Sequence, residues 1–337
     1  MTGLGRQGQS PPLEPRFLPP PGWQWHTFKN SRGQTLRFGM VLPPGGKPEA
    51  IVVGLQGLRE FAEKYFEVSH DMLARNMGFF MMDWHGQGES QRYLANPQKR
   101  HSDGFDNDVA DLHEFIESHV KPALAERQMA GVPLVMLAHS MGSNIGMRYL
   151  HRHPDAFACA AFSAPFTGIY ALRNLSTWAS LRLTASFKRV MGECYVTGGH
   201  DWKTGERGIS GKSDFSHDPA RDDLHAFWYE RQPSLQTGHV TFGWVHEANL
   251  SCARLQDPAI LKDINTPCLL VPAGQEVIVD NKTTRHAAAH MPNAKFLELQ
   301  EAKHEILMER DDIRNRFFGA FDQLLETHKI KSRPTPP

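Results

Sequence analysis

Residues 133–150 read PLVMLAHSMGSNIGMRYL, and the spacing of their apolar residues changes part-way along. The first part, residues 134–138, is a short apolar run with the length and bulk of a strand that is buried on both faces. From Met141 to Leu150 the apolar residues recur at helix-like intervals. This change of period predicts a strand that turns directly into a helix, with Ser140 at the corner.

A serine at such a corner is typical of a nucleophile elbow, in which the backbone is strained and the hydroxyl is exposed. Small residues are needed two positions to either side of the serine, where strand and helix pack closely. Ala138 and Gly142 occupy those positions. The usual pattern is G-x-S-x-G, and alanine adds only one methyl group at its first position. We therefore predict that Ser140 is a nucleophile; the alternative is an ordinary serine that caps the helix.

The composition is that of an ordinary globular protein. Its 337 residues, 40% hydrophobic and 22% charged, are enough for one large domain or a domain with an insertion. Lysine plus arginine equals aspartate plus glutamate at 37 each, so nucleic acid is not an expected partner. Residues 1–22 carry six prolines and no apolar signal-peptide region, which predicts a flexible arm and a cytoplasmic protein. Residues 330–337 are predicted to be a flexible tail.

The chain before the corner alternates between strands and helices. Residues 25–38 read as a hairpin around an Asn-Ser-Arg-Gly turn, and residues 50–55 and 78–83 read as buried strands. Residues 61–77 and 106–119 read as helices. This alternation predicts the α/β class, with a mostly parallel central sheet and helices on both faces.

A candidate oxyanion hole follows from the same layout. The strand at residues 50–55 runs into Gln56-Gly57, where glycine allows a sharp turn that aims backbone N–H groups into a site. In acyl-transfer enzymes the two donors are the residue after the nucleophile and one in a loop after an earlier strand. We therefore assign Met141 and Leu58 to the oxyanion hole; the alternative for Gln56-Gly57 is a plain tight turn.

At this point the residues resemble the α/β-hydrolase fold and, within it, the monoacylglycerol lipase and bacterial lysophospholipase group. The stretches that carry the resemblance run in the family's order across most of the chain: GLQGLREFAEKY (residues 54–65), DWHGQGES (83–90), AHSMG (138–142), AGQEVIVD (273–280) and AKHEI (302–306). The family usually has His-Gly where this chain has Gln56-Gly57, and the Gln variant is similar to the lysophospholipase branch. The resemblance implies a serine esterase that acts on lipid esters.

The alternation stops after a strand at residues 157–163, which predicts an inserted helical cap at residues 166–247 between two parts of the core, residues 23–165 and 248–329. Residues 168–190 form a basic amphipathic stretch with no acidic residue. It could cover an acyl-chain pocket, contact a membrane surface, line a path for an anionic head group, or simply pack on the core.

Three aromatic residues of the predicted cap, Trp178, Trp228 and Phe242, are candidates for contact with a lipid chain, and packing within the cap is the alternative.

The remaining catalytic candidates follow the later strands, in the order serine, acid, histidine that this fold imposes. His304 comes directly after a strand at residues 295–299 and is predicted to be the general base. The resemblance places the family's aspartate at Glu276. Asp280 is the second candidate for the acid, but an N-cap role at the next helix would explain it.

The leading hypothesis is a serine hydrolase that cleaves a lysophospholipid or monoacylglycerol through an acyl-enzyme, with contact to the inner membrane surface through the cap. Such a reaction needs no cofactor, and no metal is expected because the His-Asp pairs at residues 200–201 and 217–218 lack metal-ligand spacing. The alternatives are another acyl substrate, acyl transfer to an alcohol, and a non-catalytic protein that binds partners through its cap.

Overall fold

The apolar runs of the sequence form the middle of one sheet in the computed structural model, which describes residues 13–205 and 213–330. Within these residues eight strands lie in the order β1-β2-β4-β3-β5-β6-β7-β8. Their bounds are β1 Gln24–Lys29, β2 Thr35–Val41, β3 Ala50–Leu55, β4 Met77–Met82, β5 Leu134–His139, β6 Cys159–Ser163, β7 Cys268–Val271 and β8 Ala294–Phe296. The strands from β4 to β8 are parallel, whereas β2 is antiparallel to both β1 and β4. The predicted hairpin and the mostly parallel sheet are confirmed.

Helices cover both faces of this sheet. Their bounds are α1 Phe66–Ala74, α2 Phe105–Phe115, α3 Lys121–Ala125, α4 Met141–Arg152, α5 Thr177–Met191, α6 Pro219–Arg231, α7 Phe242–Arg254, α8 Pro258–Lys262, α9 Asn281–His290 and α10 Asp311–Thr327. Along β5, Met136 and Ala138 pack into the apolar layer under α2 and α4, while Val135 and Leu137 pack into the layer under α1 and α10. The strand is buried on both faces because its alternate side chains enter two different cores.

The predicted cap segment contains α5 and α6, and no strand of the sheet lies between β6 and β7 in the described residues. The basic amphipathic helix is shorter than the predicted range of residues 168–190. It begins at Thr177, because the Ser176 side chain accepts a hydrogen bond from the N–H of Ala179 and so caps the helix there. The boundary expected at residue 247 lies inside α7, whose apolar residues pack against the core.

The two ends of the chain only partly match the expected flexible segments. Residues 1–12 and 331–337 lie outside the described residues. Residues 13–22, however, are attached to the rest of the protein at two points: Phe17 is 2% exposed, and the Arg16 guanidinium donates to the Glu67 carboxylate of α1 at 3.1 Å. The single large aromatic side chain and this ion pair hold the second half of the proline-rich arm in place.

The longest apolar stretch of the sequence is the buried strand β6. No helix in residues 13–205 or 213–330 is long and apolar enough to cross a membrane.

Candidate active site

Ser140 is the turning point between β5 and α4. Its backbone has φ 48° and ψ −116°, in the left-handed half of conformational space that side chains other than glycine rarely occupy. Such a residue costs about 1–2 kcal/mol and persists only where its surroundings determine it. The N–H of Ser140 donates to the carbonyl of Ser163 at the end of β6, at 3.0 Å, which helps to fix the corner. The predicted strain at this serine is present.

Small side chains let the strand, the helix and a neighbouring loop meet around Ser140. A Cβ atom on Gly142 would lie 2.2 Å from the backbone oxygen of Leu55 in β3, so only glycine fits there. A Cβ atom on Gly57 would lie 3.2 Å from the Cβ of Ser140. The turn after β3 therefore reaches the serine because Gly57 has no side chain.

Three side chains that are far apart in the sequence form one hydrogen-bonded chain. His304 Nε2 lies 3.0 Å from Ser140 Oγ, and His304 Nδ1 lies 2.7 Å from Glu276 Oε2. Since an ionised carboxylate only accepts, Nδ1 carries the proton in this arrangement and Nε2 is free to accept from the serine hydroxyl. All three side chains are buried.

The loop after β7 settles which acid lies against the histidine. The second carboxylate oxygen of Glu276 accepts from the N–H groups of residues 277, 278 and 279, at 2.9, 2.8 and 3.2 Å. Asp280 lies elsewhere: it caps α9, and its side chain accepts from the N–H of Lys282 at 2.9 Å. The structure thus brings Ser140, Glu276 and His304 together and leaves Asp280 with the N-cap role.

Electrostatics at the site favour an ionised acid and a basic imidazole. Burial tends to raise the pKa of Glu276, but the charge and hydrogen bond of His304 and the backbone N–H groups outweigh it and hold that pKa below its usual value. Burial tends to lower the pKa of His304, but Glu276 outweighs it and keeps the pKa raised. The neighbouring His139 differs, since burial lowers its pKa to about 4 and keeps the ring neutral at pH 7.

The two predicted oxyanion donors lie beside the serine. Leu58 and Met141 both border the cavity that contains Ser140. Neither N–H group has an acceptor among the described residues, and Met141 is the first residue of α4, where helix N–H groups lack intrahelical partners. Both are therefore available to an oxygen that develops negative charge next to Ser140.

A buried ion cluster supports the turn beneath the serine. Lys64, which is fully buried, contacts the carboxylates of Glu60 at 2.7 Å and Glu305 at 2.6 Å. The other oxygen of Glu60 accepts from the N–H of Gly57 and from the hydroxyl of Tyr65, both at 2.6 Å. This cluster joins the oxyanion turn to the residue after His304. Sequence reasoning missed it, although four charged residues within positions 59–64, shortly after a buried strand, were a visible signal.

Comparison with known proteins places the chain in a family. Residues 46–311 match the model of Hydrolase_4, described as serine aminopeptidase, S33. The chain belongs to the Hydrolase_4 family. It is 29% identical over 297 residues to lysophospholipase L2 of Escherichia coli K12, covering 84% of this chain and 82% of that protein. It is 28% identical over 308 residues to a probable lysophospholipase L2 of Haemophilus influenzae, covering 88% and 90%.

Solved structures show the same fold. A soluble variant of monoglyceride lipase from Saccharomyces cerevisiae in complex with a substrate analog matches with a TM-score of 0.70 at 19% identity, covering 91% of this chain and 95% of that one. A monoacylglycerol lipase from Paleococcus ferrophilus matches with a TM-score of 0.63 at 19% identity, covering 87% and 99%. These matches confirm the α/β-hydrolase fold.

The cavity of this Hydrolase_4 chain has a volume of about 300 Å³, and Ser140 is part of its lining. Much of its lining is apolar and comes from both the core and the predicted cap: Leu58, Met141, Phe166, Trp202, Trp244 and Ile278. Polar side chains line the rest, including Arg59, His225 and His239. A cavity of this size and polarity suits a small ester or one end of an acyl chain.

The three aromatic residues expected to contact substrate do not border this cavity, and this expectation is corrected. Trp178 is 70% exposed on α5, Trp228 packs edge-on against Phe66, and Phe242 stacks on Phe187 within the cap segment. The aromatic residues that do line the cavity are Phe166, Trp202, Phe215 and Trp244.

Proposed function

We propose that this protein is a serine hydrolase that cleaves the carboxylic ester of a lysophospholipid or a monoacylglycerol through an acyl-enzyme. The observation that carries the proposal is the hydrogen-bonded chain from Ser140 through His304 to Glu276, next to two backbone N–H groups that have no acceptor among the residues described. The choice of a lipid ester is supported by the relatives, which are named lysophospholipases and monoglyceride lipases. The proposed reaction requires no cofactor.

In the first half of the reaction, Ser140 Oγ attacks the ester carbonyl carbon while His304 Nε2 takes the hydroxyl proton. The carbonyl oxygen becomes an oxyanion and accepts hydrogen bonds from the N–H groups of Leu58 and Met141. Glu276 stabilises the imidazolium that forms, without taking its proton. The carbon–oxygen bond to the alcohol then breaks, and His304 returns the proton to the leaving alkoxide, so that a glycerol-based alcohol departs.

In the second half, water replaces the alcohol. His304 removes a proton from the water, whose oxygen attacks the acyl-Ser140 carbonyl, and the same two N–H groups hold the second oxyanion. Collapse of this intermediate releases the fatty acid and returns the proton to Ser140. The free serine and the neutral histidine are then regenerated.

The first test is covalent labelling with a fluorophosphonate probe, comparing the wild type with Ser140→Ala. We expect labelling of the wild type and its loss in the variant, because only an activated serine reacts. Hydrolysis of lysophosphatidylcholine and of monoacylglycerol is then measured with and without an added alcohol. A folded wild type that takes no label would favour the non-catalytic alternative, and an acyl ester formed with the alcohol would favour acyl transfer.

We also propose that residues 166–247 act as a cap and that α5 contacts an anionic membrane surface. The exposed apolar side chains of α5 support the contact, with Trp178 70% and Val190 79% exposed, as does the absence of acidic residues between positions 168 and 190. Binding to vesicles with and without phosphatidylglycerol tests it. Trp178→Ser should weaken binding to the anionic vesicles, whereas Leu18→Ser, at an exposed leucine outside α5, should not.

A further inference from the structure

The lining of the cavity that contains Ser140 includes both apolar and basic side chains, and these follow strands on opposite sides of β5. Ser140 follows β5, which lies between β3 and β6 in the sheet. On the β6 side, Phe166 and Trp244 stack with ring centroids 6.1 Å apart and form an apolar wall. Arg59 follows β3 on the other side, so the lining combines an apolar wall with a basic side chain.

The backbone of Arg59 is held in an uncommon conformation. Its φ is 64°, in the left-handed region that residues with a side chain rarely adopt. Its N–H donates to Gln87 Oε1 at 3.1 Å, and its carbonyl accepts from the Tyr229 hydroxyl at 2.9 Å. Hydrogen bonds to the core on one side and to α6 on the other therefore fix the position of the Arg59 backbone. Strain that is maintained in this way is typical of functional positions.

The guanidinium of Arg59 has no ion-pair partner among the described residues. Its Nε donates to the carbonyl of Thr237 at 3.0 Å, and its two terminal amino groups have no acceptor in residues 13–205 and 213–330. Two carboxylates that line the same cavity, Glu60 and Glu305, are both paired with Lys64. A partly buried guanidinium without an anion is unusual, since charges removed from water are normally paired.

We propose that Arg59 binds the phosphodiester of a lysophospholipid head group and makes the enzyme prefer lysophospholipids to monoacylglycerols. A guanidinium can donate two parallel hydrogen bonds to a phosphate, and the two terminal amino groups of Arg59 are free for this geometry. Arg59 follows the oxyanion donor Leu58 directly, so their Cα atoms are about 3.8 Å apart. The ester and the phosphate of a lysophospholipid are joined by a short glycerol unit. When the ester is bound at Leu58, this unit can therefore bring the phosphate within reach of the Arg59 guanidinium. His225 and His239 line the same cavity and add polar surface there.

This subsite rests on the proposed lipid-ester hydrolysis, and the experiment separates the two ideas. Values of kcat/KM are measured for lysophosphatidylcholine and for monoacylglycerol with the same short acyl chain, below their micelle concentrations. The wild type should prefer the lysophospholipid. Arg59→Gln should lower the ratio of the two values by about tenfold to a hundredfold, because a hydrogen-bonded charge pair is lost for one substrate only. Arg59→Lys should retain part of the preference, because it keeps the charge without the paired donors.

The control is Arg127→Gln, which removes the same charge from an exposed arginine whose side chain bonds only a local carbonyl in α3. It should leave the ratio unchanged. An unchanged ratio in Arg59→Gln would overturn the subsite while leaving lipid-ester hydrolysis in place. A wild type that labels with fluorophosphonate but cleaves neither lipid would overturn the proposed function and the subsite with it.

A second measurement does not depend on turnover of the phospholipid. Glycerophosphocholine, the alcohol product, should inhibit monoacylglycerol hydrolysis competitively in the wild type and at least tenfold more weakly in Arg59→Gln. Inorganic phosphate serves as the comparison. Stronger inhibition by inorganic phosphate than by glycerophosphocholine would contradict a head-group subsite and favour a site for a free phosphate ion.

Discussion

Replacement of Glu276 by glutamine tests the arrangement of the site most directly. The substitution keeps the shape of the side chain but replaces one oxygen with an NH₂ group. If the amide oxygen keeps the three backbone N–H bonds of residues 277–279, the NH₂ group must face His304 Nδ1 at the position of the present 2.7 Å contact. Nδ1 can then only accept. The proton moves to Nε2, which can no longer accept the proton of Ser140.

The opposite orientation of the amide is no better. It would place the NH₂ group against three backbone N–H donors, which leaves several buried donors without an acceptor. In either orientation, His304 has the wrong tautomer or loses a well-ordered hydrogen-bond partner at Nδ1. The imidazolium that forms during the reaction also loses the carboxylate that stabilises it. We expect kcat to decrease about 10³- to 10⁴-fold. This corresponds to about 4 to 5.5 kcal/mol of activation free energy.

The assay is steady-state hydrolysis of a short-chain ester, with fluorophosphonate labelling as an independent measure of serine reactivity. Asp280→Asn is the matched control, because asparagine also caps helices well and Asp280 contacts the N–H of Lys282 and not His304. It should retain activity within about twofold, as expected of a change confined to a helix cap. Near-normal turnover in Glu276→Gln, together with a large loss in Asp280→Asn, would refute this account of the site.

The remaining predictions concern pH dependence and stability. The pKa of His304 is raised, and only the neutral ring accepts a proton. As the pH is lowered, kcat/KM should therefore begin to decrease at a pH above the pKa of an ordinary histidine. Glu276→Gln should move this decrease to lower pH. Gly142→Ala should lower the free energy of unfolding by about 1–3 kcal/mol in urea titration, because its Cβ would meet a backbone oxygen of β3. Lys64→Met should lower it by about 3–5 kcal/mol, because two buried carboxylates lose their cation.

Matched controls separate these effects from general sensitivity to mutation. Gly319→Ala adds the same methyl group to α10 where nothing lies within 4 Å, so it should not destabilise the protein. Lys121→Met removes an exposed pair with Glu117 and should change the free energy of unfolding by less than about 1 kcal/mol. A loss in Lys64→Met no larger than in Lys121→Met would contradict the stabilising role of the buried cluster. If kcat/KM decreased at the same acidic pH in Glu276→Gln and in the wild type, this would contradict the effect of Glu276 on the pKa of His304.

Much of the fold could be predicted because its signals are local. Residues 134–138 contain too many consecutive apolar side chains for a half-exposed strand, and they pack into two cores on opposite faces of the sheet. The hairpin at residues 25–38 followed from its turn residues, and the register of β1 and β2 confirms it. The predicted ends of helices were less accurate. Helix α5 begins after the Ser176 cap, but the amphipathic pattern also extends to residues before Ser176, so the pattern alone did not show where the helix begins.

The substrate contacts were the least predictable part. Aromatic residues such as Trp178 and Phe242 are easily noticed in the sequence. What these side chains contact, however, depends on how the helices that contain them pack. In the structure Trp178 is exposed to solvent, while Phe166 and Trp244 line the cavity.

The strand-to-helix corner at Ser140, the sheet around it and the chain order of serine, acid and histidine could all be predicted from the amino-acid sequence. These features depend on the period of apolar residues and on the small residues at tight turns, which are properties of neighbouring positions. Three features emerge only from packing: Glu276 contacts His304, Lys64 joins Glu60 to Glu305, and Arg59 lines the cavity without an ion-pair partner in the part of the chain that the structure describes. The physical reason is that a hydrogen bond or ion pair depends on distances of a few ångströms between side chains. Such distances between remote loops are fixed only when the sheet and its helices have packed.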